Sequence, residues 1–503
     1  MAPKKNVLLM IADDLGRQLG SYGDPMGATP HLDALASEGV RFTKAFASTA
    51  SCSTSRSTLY TGQHNHQSGQ YGLNGERHHF CTFDRVESGP TLLNAHDYLT
   101  GIVGKVHVGP DHVYPWHVKD ESWSRDVAWV ADRCGAFFEK AVSEDKPFFL
   151  SVGFIDPHRD RTRSGFGNED KFDDRVKRRQ FDPKDVPVPP FLLDGPGVRQ
   201  EFASYYESIH RMDQGVGMIL ENLKKLGLAD DTLVFFMSDN GPPFVNSKTT
   251  LYDAGVNLPF IVRCPGAEKS IVNPNMISYV DVLPTILDWA KHPAAVKPDP
   301  ASPRLGRSIL PILSATEEKK GWDRVYGSHT FHEITNYWPT RFTRTRQYKY
   351  HRNLAWRLDF PMAADIYGSL AWEDVRNAES KVVGGRKLQD YFFRPPEELY
   401  DLDADPHEVN NIIKSTEHGE VLEELRQHLD AWQRRTEDPW LYRDGISLMF
   451  VKKHVAAGMA MPDRVDFDAD SPESHGKDVK KVDDIRFGTE VAWDRDANRP
   501  RIE

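Results

Sequence analysis

The sequence is poor in cysteine: four among 503 residues, at positions 52, 81, 134 and 264, with no Cys-x-x-Cys pair. That is too sparse for a disulfide scaffold or a structural zinc site. No apolar run approaches the roughly 18–20 residues that a membrane-spanning helix requires; the best are Val7–Ala12, Phe148–Phe154 and Leu233–Met237. An excess of positive charge is also missing. The balance is 63 − 74 = −11, which argues against a general nucleic-acid binder, because a phosphate backbone demands a basic face. No Asn-x-Ser/Thr acceptor occurs, and Met1–Asn6 leads only into the short Val7–Ala12 run rather than into a secretory leader. These absences set the expectation of an intracellular protein that binds neither membrane nor nucleic acid. A secreted or lysosome-like origin would require a trimmed N-terminus. There is no internal repeat and no low-complexity tract. With 39% hydrophobic and 27% charged residues, the chain is neither disordered nor a coiled coil.

Lys5–Ala12 reads as a buried strand that stops at Asp13-Asp14. Thr29-Pro30 predicts a helix start, with Thr29 as N-cap and Pro30 in the first helical position, followed by Leu32, Leu35 and Ala36 at helical spacing. Gly101–Val106, Pro147–Ile155, Thr232–Met237 and Leu258–Arg263 are further strand-like runs. Glu201–Leu226 repeats Tyr205, Ile209, Met212, Val216, Ile219 and Leu223 at three and four residues, the period of a helix. Tyr279–Ala290 is another helical stretch. Strands alternating with helices predict an α/β domain over residues 1–335, built on a large mixed, mostly parallel sheet sandwiched by helices. Thr340–Leu354 and Glu398–Leu402, with the helical Val421–Trp432, predict a smaller α+β domain with an antiparallel sheet over 336–464. Residues 465–503 form a charged tail.

Four of the strand ends carry chemistry: Asp13-Asp14, Lys105-Val106-His107, Asp156-Pro157-His158 and Asp239-Asn240. Open α/β sheets gather ligand sites at the carboxyl ends of their strands. Adjacent carboxylates repel, and a hard cation relieves the repulsion through oxygen ligands; the plain alternative for each pair is a turn or a helix start. Lys105 and His107, two residues apart on a strand, would face one way and suit an anion that exchanges protons. His158 reads either as a site residue or as an ordinary loop histidine. Cys52-Ser53-Thr54-Ser55-Arg56 precedes Ser57–Tyr60, which can start a helix; a cysteine at a helix N-terminus is favoured as a thiolate or beside an oxyanion, and Arg56 suits a nearby anion. A lone buried cysteine is otherwise a packing residue.

In this order, strand-Asp-Asp, Cys-x-x-Ser-Arg, Lys-x-His, Asp-Pro-His and Ser-Asp-Asn-Gly, the sequence resembles the type I sulfatases of the alkaline phosphatase superfamily. Ala12–Leu15, Thr29–Ala36, His64–Leu73, Gly104–Pro115 (GKVHVGPDHVYP), Arg211–Gly217 (RMDQGVG), Ser238–Tyr252, Asp281–Trp289 and Glu398–Asn411 look most like the sulfamidase branch. The resemblance implies a sulfohydrolase acting at the end of a sulfated sugar, an N-sulfoglucosamine or a glycan O-sulfate ester. It implies one Ca²⁺ at Asp13, Asp14, Asp239, Asn240 and Cys52, with Cys52 oxidised to formylglycine as the nucleophile. Arg56, Lys105, His107, His158 and Lys248 would surround the sulfo group; Lys248 stands where that branch has arginine. His329, His332 and Glu333 would contact the sugar, with Tyr337 and Trp338 walling its pocket. Thr54 departs from the Cys-x-Pro-x-Arg signature at the proline that the maturation enzyme reads. A phosphoester or phosphonate hydrolase of the same superfamily, and a non-catalytic carbohydrate binder with Cys52 left as a thiol, are the other readings. A homodimer is an assembly that the sequence permits.

Overall fold

The computed structural model describes residues 5–75, 78–160, 165–296 and 303–441; the expected tail over 465–503 lies outside them. Strand β1 (Asn6–Ala12) is buried along its whole length, because a strand with helices on both faces has no solvent side. Its side chains alternate between two cores. Leu8, Met10 and Ala12 enter one, beneath the helices Pro30–Ser37, Val127–Ser143 and Pro196–Lys225. Val7, Leu9 and Ile11 enter the other, with Leu59 and Tyr60 of the Cys52–Thr61 helix and Leu283, Ile286 and Leu287 of the Val282–Trp289 helix.

The main sheet also contains β2 (Val40–Phe46), β3 (Leu99–Gly104), β4 (Val118–Glu121), β5 (Phe148–Gly153), β6 (Thr232–Ser238), β7 (Phe260–Arg263) and β8 (Ile271–Ser278). Their order is β4-β3-β5-β1-β6-β7-β2-β8. Strand β7 runs antiparallel to both β6 and β2, and the other pairings are parallel. The expected mixed, mostly parallel sheet between helices is therefore what forms. Thr29 precedes its helix as predicted, yet its hydroxyl does not cap it. That hydroxyl accepts from Gly20 N at 3.0 Å, and the Asp213 carboxylate takes His31 N at 3.0 Å and Leu32 N at 2.8 Å instead.

A second, antiparallel sheet joins β9 (Val325–Phe331), β10 (Tyr337–Arg344), β11 (Tyr348–Asn353) and the Glu397–Asp401 strand, which pairs with β11. Thr340–Leu354 falls on a hairpin of β10 and β11, and the sheet starts at Val325, ahead of residue 335. Tyr350 and Leu399 are covered by Leu422, Leu425, Leu429 and Trp432 of the Gly419–Arg435 helix. Strand β9 lies against the segment leading into Cys52: Ser328 N donates to Ser48 O at 2.8 Å. Gly327 permits this approach, since a Cβ there would sit 2.7 Å from Ser48 O.

Glu201, on the Pro196–Lys225 helix, ties the segment after β5 to the Leu370–Asn377 helix. Its carboxylate accepts from Arg159 Nη1 and Nη2 at 2.6 and 2.8 Å and from Leu370 N and Ala371 N at 2.9 and 3.0 Å. Both partners of this ion pair are buried, so losing one strands a charge in low dielectric. Glu201→Ala is expected to lower the unfolding free energy by about 3–5 kcal/mol. Equilibrium urea unfolding measures this, and a loss below about 1 kcal/mol, the size of an exposed pair, would contradict it.

Candidate active site

The parallel strands deliver their terminal residues to one edge of the sheet. Asp13 and Asp14 follow β1, Lys105 follows β3, His158 follows β5, and Asp239 and Asn240 follow β6. The Cys52–Thr61 helix follows β2. Backbone bonds lock these ends together: Asp13 N donates to Asp156 O at 3.2 Å and Asp239 N to Ala12 O at 3.0 Å. Asp14 adopts φ 62°, a left-handed conformation that Asp tolerates better than most residues.

The ligating atoms of Asp13, Asp14, Cys52 and Asp239 lie within 4.8 Å of one another, and all four residues are buried. Asp13 Oδ2 accepts from Lys105 Nζ. Asp14 Oδ1 accepts from Asn240 Nδ2 at 2.7 Å and lies 4.0 Å from Cys52 Sγ; its Oδ2 accepts from Lys248 Nζ at 2.9 Å. Asp239 Oδ2 accepts from Arg56 Nε at 2.9 Å, and its Oδ1 from Asp14 N and Asn240 N at 3.1 and 2.8 Å. Two buried oxygens, Asp13 Oδ1 and Asn240 Oδ1, have no hydrogen-bond partner. Orphaned oxygens beside three crowded carboxylates form a hard, anionic donor set, which fits Ca²⁺ far better than zinc.

The charges in this cluster are strongly displaced. Burial opposes ionisation of Asp13, but Lys105, with Arg56 and Lys248, holds its carboxyl well below the usual range. Burial and the Asp13 charge push Asp239 up to about 7, against Arg56. Lys248 is held well above its ordinary value: burial disfavours the charge, and Asp14 and Asp365 outweigh it. Cys52 stands first in its helix, yet burial, then Asp13 and Asp239, push its thiol well up. The helix N-terminus and Lys105 do not overcome those effects, so the unmodified residue is a protonated thiol rather than the thiolate that the helix position suggests.

Thr54 falls in the first turn of the helix, where backbone N–H groups have no intrahelical acceptor. Proline and threonine both fit there, and the Thr54 hydroxyl donates to Ser51 O at 2.8 Å.

Arg56 is fully buried and braces the site from beneath, donating through Nε to Asp239 and through Nη1 to Lys105 O at 3.2 Å. The structure does not place Lys105 and His107 on a strand: β3 stops at Gly104, and His107 takes φ 57°. Lys105 turns inward to Asp13. His107 meets the Trp123 ring edge-on at 5.7 Å, with its Nδ1 buried and unpartnered.

His158 Nδ1 lies 2.5 Å from Arg159 O, and its Nε2 lies 3.2 Å from Lys248 Nζ. A carbonyl accepts and an ammonium donates, so His158 is neutral with its proton on Nδ1. Lys248 Nζ also donates to Asp365 Oδ2 at 2.6 Å. Asp365 is a site residue that the sequence reading misses, since Ala364-Asp365-Ile366-Tyr367 matches no motif and lies far along the chain in the second unit.

His329 and His332 are buried beneath the loop that precedes Cys52. Their Nδ1 atoms lie 3.4 Å from Thr49 Oγ1 and 2.8 Å from Ser51 Oγ. Glu333 Oε2 accepts from Ala364 N at 3.3 Å, at the start of the short helix that carries Asp365. Trp338 does not wall a sugar pocket: it is fully buried, edge-on to Phe360 at 5.7 Å, in the core.

Residues 5–292 match the family described as Sulfatase. The chain is 39% identical over 470 residues to the N-sulphoglucosamine sulphohydrolase of Homo sapiens, covering 88% of this chain and 93% of that protein. Among solved structures, one in complex with its substrate D-glucosamine-2-N,6-O-disulfate superposes with a TM-score of 0.63 at 19% identity, covering 86% of this chain and 98% of that one. The phosphonate monoester hydrolase of Agrobacterium radiobacter superposes with a TM-score of 0.61 at 19% identity, covering 86% and 96%. These structures share the fold, whereas the sequence match spans more than half of the chain and reaches an enzyme of known reaction. The chain belongs to the sulfatase family and is a hydrolase of sulfate esters or sulfamates.

Proposed function

We propose that this enzyme releases inorganic sulfate from the terminal residue of a sulfated glycan, with N-sulfoglucosamine as the first substrate and a glycan O-sulfate ester as the second. The observation that carries the reading is the convergence of Asp13, Asp14, Asp239, Asn240, Lys105 and Lys248 on residue 52, in a chain 39% identical to an N-sulphoglucosamine sulphohydrolase. Ca²⁺ held by Asp13, Asp14, Asp239, Asn240 and residue 52 would supply a Lewis acid that activates an oxygen nucleophile. Formylglycine at residue 52, as its hydrate, would supply that oxygen in place of the protonated thiol.

The remaining roles fall to side chains of the chain itself. Lys105 and Lys248 flank residue 52 and stabilise charge on the sulfo oxygens, where a dry surrounding strengthens the attraction. His158 accepts from Lys248 at Nε2; once Lys248 turns to the sulfo group, that nitrogen takes up a proton and passes it to the departing nitrogen or oxygen. His107 is the base whose proton uptake frees the sulfate. His329 and His332 hold Thr49 and Ser51, and so position residue 52. Cys52 is only 1% exposed, so a sulfo group reaches it by entering a recess. A terminal sugar can do this; an internal one brings its neighbours into the walls.

The second reading, a phosphoester or phosphonate hydrolase, draws on the shared fold with the phosphonate monoester hydrolase and on the similar tetrahedral shape of sulfo and phosphoryl groups. Ratios of kcat/KM for matched aryl sulfate and aryl phosphate substrates separate the two. The proposal expects the sulfate to win, and a ratio favouring phosphate would replace it.

Peptide mass spectrometry of active protein is expected to find formylglycine at position 52, and Cys52→Ala to lower kcat by more than about 10³-fold, as for a lost nucleophile. Full activity with only thiol at residue 52 would refute this. Given a defined sulfated oligosaccharide, the enzyme is expected to strip the terminal residue first; comparable release from internal residues would defeat the recess argument.

A further inference from the structure

Beside the sulfo-binding groups opens a cavity of about 710 Å³, which the proposed reaction leaves without a role. His107 and Trp123 form its near side. Trp123 is 62% exposed, while Trp338 and Trp432 are buried. Its ring lies 5.5 Å from Lys105 Nζ and 5.7 Å from the His107 ring, so the indole stands at the threshold of the catalytic groups with much of its surface in water. The far lip is polar: Lys119 Nζ lies 2.8 Å from Asp111 Oδ1 and 3.6 Å from Glu121 Oε2. The remaining wall includes His78, whose Nδ1 accepts from Ile334 N at 3.2 Å, next to the His332-Glu333 segment.

A cavity lined by an exposed indole and by the Asp111 and Glu121 carboxylates and the Lys119 ammonium matches the two-sided character of a pyranose. One face of such a sugar is a patch of C–H groups that packs on an aromatic plane, and its edge carries hydroxyl groups that hydrogen-bond to charged acceptors and donors. The volume falls within the roughly 300–1,000 Å³ common for ligand sites. Lys105, on which the sulfo group would bear, stands 5.5 Å from the Trp123 ring, so the sugar that carries that group has this cavity to enter.

We propose that Trp123 is the stacking platform of the sugar subsite, and that this cavity, rather than the His329–Trp338 segment, recognises the desulfated portion of the substrate. The inference deepens the sulfohydrolase reading and rests on it for the choice of sugar. Trp123 is a specificity-determining residue under this proposal, and its exposure means that replacing it leaves the core intact.

The test uses the full chain, glucosamine as the probe, and ¹⁵N-labelled indole groups observed by NMR, the Trp123 signal being assigned by its loss in Trp123→Phe. Glucosamine is not turned over, so binding is read without chemistry. The expected result is a saturable shift of the Trp123 Nε1–H signal in the wild type, with the Kd, measured for wild type and variants alike by calorimetric titration of glucosamine, raised about tenfold in Trp123→Ala, the equivalent of ~1.4 kcal/mol. Trp123→Phe, which keeps an aromatic face, is expected to recover most of the affinity. Saturable binding that leaves the Trp123 signal in place, an unchanged Kd in Trp123→Ala, or no saturable binding would each overturn the proposal. Sulfate release from N-sulfoglucosamine by the wild-type protein, followed in parallel, reports on the sulfohydrolase reading separately.

Discussion

Everything in this structure is arranged around a costly concentration of charge. Asp13, Asp14 and Asp239 are buried side by side, and Asp365 joins them through Lys248. Left alone, such a group would protonate or push itself apart, because isolated charges are expensive in a low-dielectric interior. Lys105, Lys248 and Arg56 meet these four carboxylates with three positive charges. The balance still leaves two oxygens without partners, and burial with the Asp13 charge pushes the Asp239 pKa up to about 7. A divalent oxygen-seeking cation resolves both features at once, and it would leave Lys105 and Lys248 free to face an anion.

The fold supplies the rigidity that such crowding requires. Asp13, Asp14 and Asp239 sit just past strands of the parallel sheet, whose side chains are buried on both faces, so the strand ends cannot separate without opening two cores. The second sheet is part of the site rather than an appendage. Strand β9 meets the backbone ahead of Cys52, His329 and His332 brace Thr49 and Ser51, and Asp365 reaches back to Lys248. Glu201 fastens this arrangement to the long helix.

The sequence displayed the parts that follow strong local rules. The Val7–Ala12 run, the helical period of Glu201–Leu226 and the charged strand ends were legible because burial on both faces, amphipathicity and abrupt polarity each leave a local trace. Strands β2, β4 and β8 were not read, since Val40–Phe46 mixes Arg, Thr and Lys into its run, Val118–Glu121 is a polar edge, and Ile271–Ser278 contains proline and two asparagines. Asp365 was invisible for a different reason: its role comes from a long-range contact with no periodic signature. Trp338 and Trp123 show the same limit. Both are aromatic residues near the site, and only tertiary packing distinguishes the core residue from the exposed one.

The central claim is that the carboxylate cluster is a calcium site. Calorimetric titration of Ca²⁺ into chelator-treated protein tests it most directly, together with the same titration of Asp13→Ala and of zinc into the wild type. The account predicts one saturable Ca²⁺ site that raises the unfolding temperature, is lost in Asp13→Ala, and is not taken preferentially by zinc. No Ca²⁺ binding by the wild-type protein, or unaltered binding in Asp13→Ala, would contradict it.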